Sequence, residues 1–341
     1  MKKQVLSLLI ASITASSALA DAYHDAYNSA KKEEKSRKYE VAAASYLSAA
    51  EVASNPNDKA NSYFRAGECY RSKKKYDKAI DCFKKELGVE DASPTRKSSA
   101  QLRIGQVLYW DGKTADSIPE LQKVKEIKGA HPSHVSDASM YIGYANSRLK
   151  KYDAAITAFE DVLDNKKASS SHKSKARLSI GNVKKNQKKY DEAIAEYEKV
   201  MSMPKRNSSH EAEAYMSIGL VLRSQKKYDE SNEALKKCVD NEKANYYHKG
   251  LSQVTIGNNL RSQKKYEDAI KEYGKIKTFK RTHNYHAVEA ERLTGFCYYD
   301  LKQYDKAKEY FEKVLADKKA SSYQKKSSKQ MLDKIAKSQK K

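Results

Sequence analysis

The chain has 341 residues, of which 39% are apolar and 33% charged, with a mean hydropathy of −0.89. That is too polar for a compact globule of this length and suits a core one helix pair thick, while only 12 Gly and 5 Pro exclude a fold rich in long loops and β-turns. A formal charge of +23 calls for anionic partners: acidic proteins, anionic polysaccharide, lipid headgroups or nucleic acid.

The amino terminus reads as an export signal. Lys2 and Lys3 form a positive start, Val5 to Ile13 a short apolar stretch, and Ala18-Leu19-Ala20 places small residues where signal peptidase reads. Residues 1–20 are expected to be removed near Ala20, leaving a periplasmic or secreted chain from Asp21, and export sets nucleic acid aside as a partner. The stretch is too short and too rich in Ser and Thr for a membrane span, which needs about 20 mostly apolar residues, and no later segment approaches one. Cys69, Cys82, Cys238 and Cys297 form no Cys-x-x-Cys pair, so thiol redox chemistry is not expected. Most are read as small buried apolar residues, with a Cys69–Cys82 disulfide within one hairpin left open.

From there a repeat dominates. Lys-Lys-Tyr-Asp and its variants place Tyr39, Tyr76, Tyr152, Tyr190, Tyr228, Tyr266 and Tyr304 at steps of 37, twice 38, and then 38 four times, with Thr114 in the tyrosine's place in the third unit. Nine residues before each stands Gly67, Gly105, Gly143, Gly181, Gly219, Gly257 or Gly295, with Ala30 in the first unit. Gly inside a helix costs about 1 kcal/mol relative to Ala, so seven of them imply a partner helix crossing too closely for a Cβ. Three residues after the tyrosine comes Ala or Ser, and four further on a bulky group: Tyr46, Phe83, Leu121, Phe159, Tyr197, Leu235, Tyr273 and Phe311. Val124, Val162, Val200, Ile276 and Val314 continue the stripe three residues later, and Ile104, Ile142, Ile180, Ile218 and Ile256 flank the glycines. Offsets of three and four mark one helix face. Turns such as Ser224-Gln225-Lys226-Lys227 separate the two helices of a unit, and the 25 tyrosines suit half-wet cores in which the ring is buried and the hydroxyl reaches water.

Gly, Tyr nine on, Ala three on and an aromatic four on together resemble the tetratricopeptide repeat, over roughly residues 22 to 320. The period is 38 where that family has 34, and the extra four residues are read as one more turn near the junction between units. The resemblance implies an all-α, right-handed α-solenoid of eight helical hairpins over residues 21–320. Residues 321–341 add a polar capping helix and tail, whose apolar face is Met331, Leu332 and Ile335. Ser93-Pro94 and Ser208-Ser209-His210-Glu211 read as helix starts. The aspartates beside the tyrosines, Asp77, Asp153, Asp191, Asp229 and Asp305, read as helix-start caps.

Three features are candidate sites. His134, His172, His210, His248 and His286 recur at 38-residue steps. Equivalent positions are expected a hairpin's thickness apart, beyond the roughly 8–10 Å between packed helices, too far to share an ion whose ligands each lie about 2 Å away. The helix dipole is expected to keep these rings neutral, and no metal or other cofactor is called for. The family lines its concave groove with the first helix of each unit. The resemblance therefore assigns to the groove Arg71, Arg148, Lys185, Arg223 and Arg261 as a basic stripe, and Asn182 and Asn258 as the asparagines the family often turns on ligand backbone or carboxylate. In the third unit Tyr109 and Trp110 fall at groove positions, with Phe64 and Tyr144 at those of its neighbours, the composition of a binding hot spot. Ser117-Ile118-Pro119-Glu120 reads there as a late helix start with Ser117 as the cap. No Walker loop, His-Glu-x-x-His, Gly-x-Ser-x-Gly or dinucleotide-binding glycine pattern is present. The expectation is a non-catalytic protein-interaction scaffold of the cell envelope holding an extended or acidic partner segment in its groove. The alternative is a module for anionic polysaccharide or another anionic envelope polymer.

Overall fold

The computed structural model describes residues 2–204 and 208–339, with side chains from residue 19 onward. Among them there are seventeen α-helices and no strand. They run α1 (Lys2–Lys35), α2 (Tyr39–Val52), α3 (Pro56–Ser72), α4 (Tyr76–Leu87), α5 (Pro94–Trp110), α6 (Thr114–Glu126), α7 (Pro132–Arg148) and α8 (Tyr152–Asp164). Then follow α9 (Ser170–Asn186), α10 (Tyr190–Met201), α11 (Ser208–Ser224), α12 (Tyr228–Asp240), α13 (Tyr246–Ser262), α14 (Tyr266–Gly274), α15 (Asn284–Asp300), α16 (Tyr304–Ala316) and α17 (Ser322–Ser338). Eight hairpins and a terminal helix result, as the repeat predicts. In the fourth unit the 17-residue α7, the turn 149–151, the 13-residue α8 and the connection 165–169 make up the 38-residue period.

The chain divides into two compact units, residues 1–172 and 173–341. Within each, core clusters bridge neighbouring hairpins. Leu102, Leu121, Val124, Ala138, Ile142 and Ala158 join α5 through α8 in the first. Val254, Ala269, Tyr273, Ile276, Ala290, Leu293 and Cys297 join α13 through α15 in the second. First helices of successive units also pack directly on one another, α5 on α7 and α13 on α15. Equivalent positions are thus one helix spacing apart, which corrects the expectation of a whole hairpin's thickness.

The conserved geometry has two local causes. First, a Cβ built on Gly143 would stand 2.3 Å from Cε1 of Phe159, and one on Gly257 2.3 Å from Cε1 of Tyr273. What forbids alanine is therefore the buried ring on the unit's own second helix. Second, seven of the eight hairpin turns are Schellman motifs, the third unit lacking the longer of the two bonds. In the sixth unit Lys226 N–H donates to Arg223 O (2.9 Å) and Lys227 N–H to Leu222 O (2.9 Å), with Lys226 in the left-handed region at φ 63°. Arg37, Lys74, Lys150, Lys188, Lys264 and Lys302 do the same, and only the third unit uses glycine there, Gly112 at φ 87°. A left-handed L-residue is strained by roughly 1–2 kcal/mol, partly offset by the freedom glycine has when unfolded. Lys226→Gly is expected to stabilise by about 0.5–1 kcal/mol, read as a higher urea midpoint at unchanged slope; an unchanged or lower midpoint would refute the strain.

Several sequence expectations are revised. α6 begins at Thr114 because Ser117 N–H already donates to Lys113 O (3.1 Å), so Ser117 is no cap, its hydroxyl bonds Thr114 O, and Pro119 lies inside the helix. The repeat aspartates sit one residue inside their helices and make no cap bond. Asp191 and Asp229 instead accept from Gln225 and Gln263 (3.1 Å each), stapling one turn to the next. The hydroxyls of buried Tyr46, Tyr197 and Tyr273 do not end in water but donate to Glu34, Asn182 and Asn258 (2.8–2.9 Å). α11 starts at Ser208, so Ser208 is inside the helix, and the residue before it lies outside the described residues.

Other expectations hold. Ser93 caps α5 by accepting from Arg96 N–H, with Pro94 at the first helical position. Ser321 and Gln324 form a capping box on α17, whose Ile335 is buried with Phe311 and Ala307. All four cysteines are free and buried, and burial pushes the Cys69 thiol up to about 12 and that of Cys82 to about 11. No helix among the described residues is long and apolar enough to cross a membrane. The candidate cleavage point after Ala20 falls within α1, and the side chains of residues 2–18 lie outside those described.

Candidate functional site

In the first unit the third-hairpin aromatics form one network. Trp110 lies beneath the Arg71 guanidinium (5.3 Å) and edge-on to Tyr141 (5.9 Å). Tyr109 meets Tyr141 (5.7 Å) and carries Arg148, stacked at 5.5 Å and donating to Tyr109 O (3.3 Å). Tyr141 in turn meets Tyr144 (5.8 Å), whose ring reaches the core through Phe159 (5.5 Å). Five expected residues, Arg71, Tyr109, Trp110, Tyr144 and Arg148, thus converge on Tyr141, which the sequence reading missed. Its signal was present: other units have Arg65, Arg103, Ser179, Ser217, Thr255 and Leu293 at that position. Phe64 stands apart, against Phe83 (6.2 Å) and under Arg103 (5.8 Å).

The basic stripe is not uniformly free. Glu68 takes the Arg71 fork (3.1 and 2.7 Å), which holds that guanidinium charged, and also pairs with Arg103 (3.5 Å). In the second unit Arg261 is tied to Asp300 (3.1 and 2.9 Å) and lies over Phe296 (5.2 Å). Lys185 and Arg223 differ. Among the described residues no carboxylate pairs with either, and both line one hollow of about 510 Å³ with Leu220 and Tyr228. A second hollow of about 180 Å³ shares Arg223 and adds Asn258 and Arg261. Burial holds the Lys185 ammonium below the usual lysine range, and among the described residues its one hydrogen bond is to Asn182 Oδ1 (3.4 Å).

The asparagines turn out to be structural at one end. Tyr197 and Tyr273 hold the carbonyl oxygens of Asn182 and Asn258, which fixes each amide and leaves Nδ2 as the donor a ligand can use. In these units a hydrogen bond therefore joins the first helix's asparagine to the buried tyrosine of the second.

The histidine ladder is packed at junctions. His134 Nδ1 lies 2.9 Å from Ser98 Oγ, and His172 Nε2 is 3.3 Å from Asp137. Burial is the first cause that lowers His134, His210 and His248, and burial with His283 beside it holds His286 at about 4. Desolvation shifts these four rings toward the neutral form. Among the described residues no group of three or more His, Cys, Asp or Glu is placed to hold a metal ion.

Sequence profiles described as tetratricopeptide repeat match residues 60–89, 174–207, 212–245 and 295–316, and a second profile of that description matches 137–165. No curated protein matches the sequence. The fold is similar to that of the apo form of RapI, at 12% identity and a TM-score of 0.60, covering 86% of this chain and 87% of that one. It is also similar to a tetratricopeptide repeat protein from Parabacteroides merdae, at 14% identity and a TM-score of 0.52, covering 81% and 99%. The phase of glycine, tyrosine and small residue, the helical hairpins and these matches agree: the chain is built from tetratricopeptide repeats.

Proposed function

We propose that the protein is a non-catalytic interaction scaffold of the cell envelope that holds an extended, acidic segment of a partner protein. The observation that carries this reading is the Lys185–Arg223 pair. A half-buried ammonium without a counter-ion is destabilising by itself, and an incoming carboxylate supplies the missing charge. Charge-assisted bonds of this kind contribute roughly 1.5–3 kcal/mol each. Arg223 beside it, with the fixed amides of Asn182 and Asn258, suits an acidic side chain next to an extended backbone. In the first unit Trp110 and Tyr109, held by Tyr141 and flanked by Arg71 and Arg148, supply aromatic anchors. Export is favoured by the basic, apolar and small-residue pattern of residues 1–20.

The full chain, Lys185→Glu/Arg223→Glu and Trp110→Ala are to be used as bait in an envelope extract. The retained protein is then titrated against each. Loss of at least tenfold in affinity with the charge reversal is expected, and a smaller loss with Trp110→Ala. A partner held equally by all three forms would remove both grooves from the reading.

A further inference from the structure

A second surface lies outside the groove, at the start of the first helices in the second unit. Tyr247, Tyr285 and Tyr323 occupy the second position of α13, α15 and α17, 38 residues apart, and are 46%, 42% and 63% exposed. The same position holds Asn57, Thr95, Ser133, Ser171 and Ser209 in earlier units, so the small polar residue is replaced by a ring only here. With neighbouring Tyr246, these make four of the seven large apolar side chains exposed among the described residues. Since α13, α15 and α17 pack in sequence, the rings form a row at helix spacing, about 10 Å.

The row has a rigid base. Tyr247 rests on His286 (4.9 Å) and His283 (5.7 Å), and His286 is buried with Nδ1 unpartnered. Tyr323 lies over the Arg292 guanidinium (5.4 Å), itself buried and held by Glu289 (3.0 Å). Beside the row are two hollows of about 620 and 520 Å³ that share Tyr246 and Arg281. The larger also has Lys249 and Lys280 as donors, and Asp240 and Glu242 as acceptors.

We propose that this edge binds a linear acidic polysaccharide. Exposed rings about 10 Å apart offer their faces to the C–H faces of about every second pyranose ring along a linear chain, and an amphipathic tyrosine keeps its hydroxyl wet while doing so. Donors and acceptors mixed within one hollow match a ligand dense in hydroxyls better than they match an acidic peptide. The basic members, together with the +23 formal charge, favour a polymer that carries carboxylates. None of these residues belongs to the groove, so this site stands or falls separately from the scaffold reading.

Affinity electrophoresis of the full chain through gels containing polygalacturonate or dextran tests it. Polygalacturonate is expected to retard wild type at 0.3 M NaCl, where purely ionic attraction is screened within about a Debye length. Tyr247→Ala/Tyr285→Ala/Tyr323→Ala, checked for unchanged helicity, is expected to bind at least tenfold more weakly. Lys185→Glu/Arg223→Glu is expected to bind polygalacturonate as wild type does. Equal retardation of wild type and the triple variant, retardation lost in salt, a preference for dextran, or no retardation would each overturn the proposal. So would a triple variant that keeps the glycan and loses a protein partner.

Discussion

Glu86→Val is expected to stabilise the first unit by about 2–3 kcal/mol at pH 7, and by little at pH 4. Glu86 sits where Val124, Val162, Val200 and Val314 continue the buried stripe of other units. It is fully buried in the last turn of α4, with no hydrogen-bond partner for either carboxyl oxygen. Burial raises its pKa to about 8, Glu68 on α3 adds to this, and Arg96 and Arg103 on α5 oppose it. Below the unfolded value near 4.5 the group is protonated in both states, and its ionisation has no effect on stability. As pH rises toward 8 the unfolded chain ionises while the folded one keeps its proton, so folded wild type loses stability throughout that window. Valine does not titrate, and its stability profile stays flat. Urea midpoints for both proteins between pH 4 and 8.5 check this. Parallel profiles would mean that the Glu86 carboxylate has found a partner.

Gly143→Ala is expected to destabilise by about 1–3 kcal/mol, the range for forcing extra volume into a packed core. The new methyl would overlap Phe159, whose ring is buried between α7 and α8 and also supports Tyr144. Phe159→Ala alone should lose about 3–5 kcal/mol to the cavity it leaves. In the double variant the methyl enters that space, so the loss should be smaller than the two single losses combined. A double-mutant cycle with purely additive losses would show that the glycine answers to something other than the ring.

What repeats was legible in the sequence, because a contact made eight times leaves a period. The glycines, the bulky residues sixteen further on, the hairpin turns and the capping helix all fall in this class. What occurs once was not. Glu86 interrupts a valine stripe, and Tyr141 gathers the aromatic site from a position polar in most other units. The carboxylates that neutralise Arg71 and Arg261 come from another turn and another hairpin, Glu68 and Asp300, and no spacing rule announces them. The turn lysines were visible, but their left-handed backbone was not, since glycine usually marks that conformation and here it does so only at Gly112. Phase assigned Arg71, Arg148, Lys185, Arg223 and Arg261 to one stripe, but their ion pairing depends on neighbours that phase does not specify.

Because each core cluster is shared only by adjacent hairpins, the second unit behaves as a zipper rather than as a single knot. The interior helix α15 packs on α13, α14, α16 and α17, whereas α17 packs only on α15 and α16 among the described residues. Fraying should therefore enter from α17 and travel inward one hairpin at a time. The tyrosine row runs along the same three first helices, α13, α15 and α17. A polymer laid across it would act as a clasp over the end of the zipper that opens first.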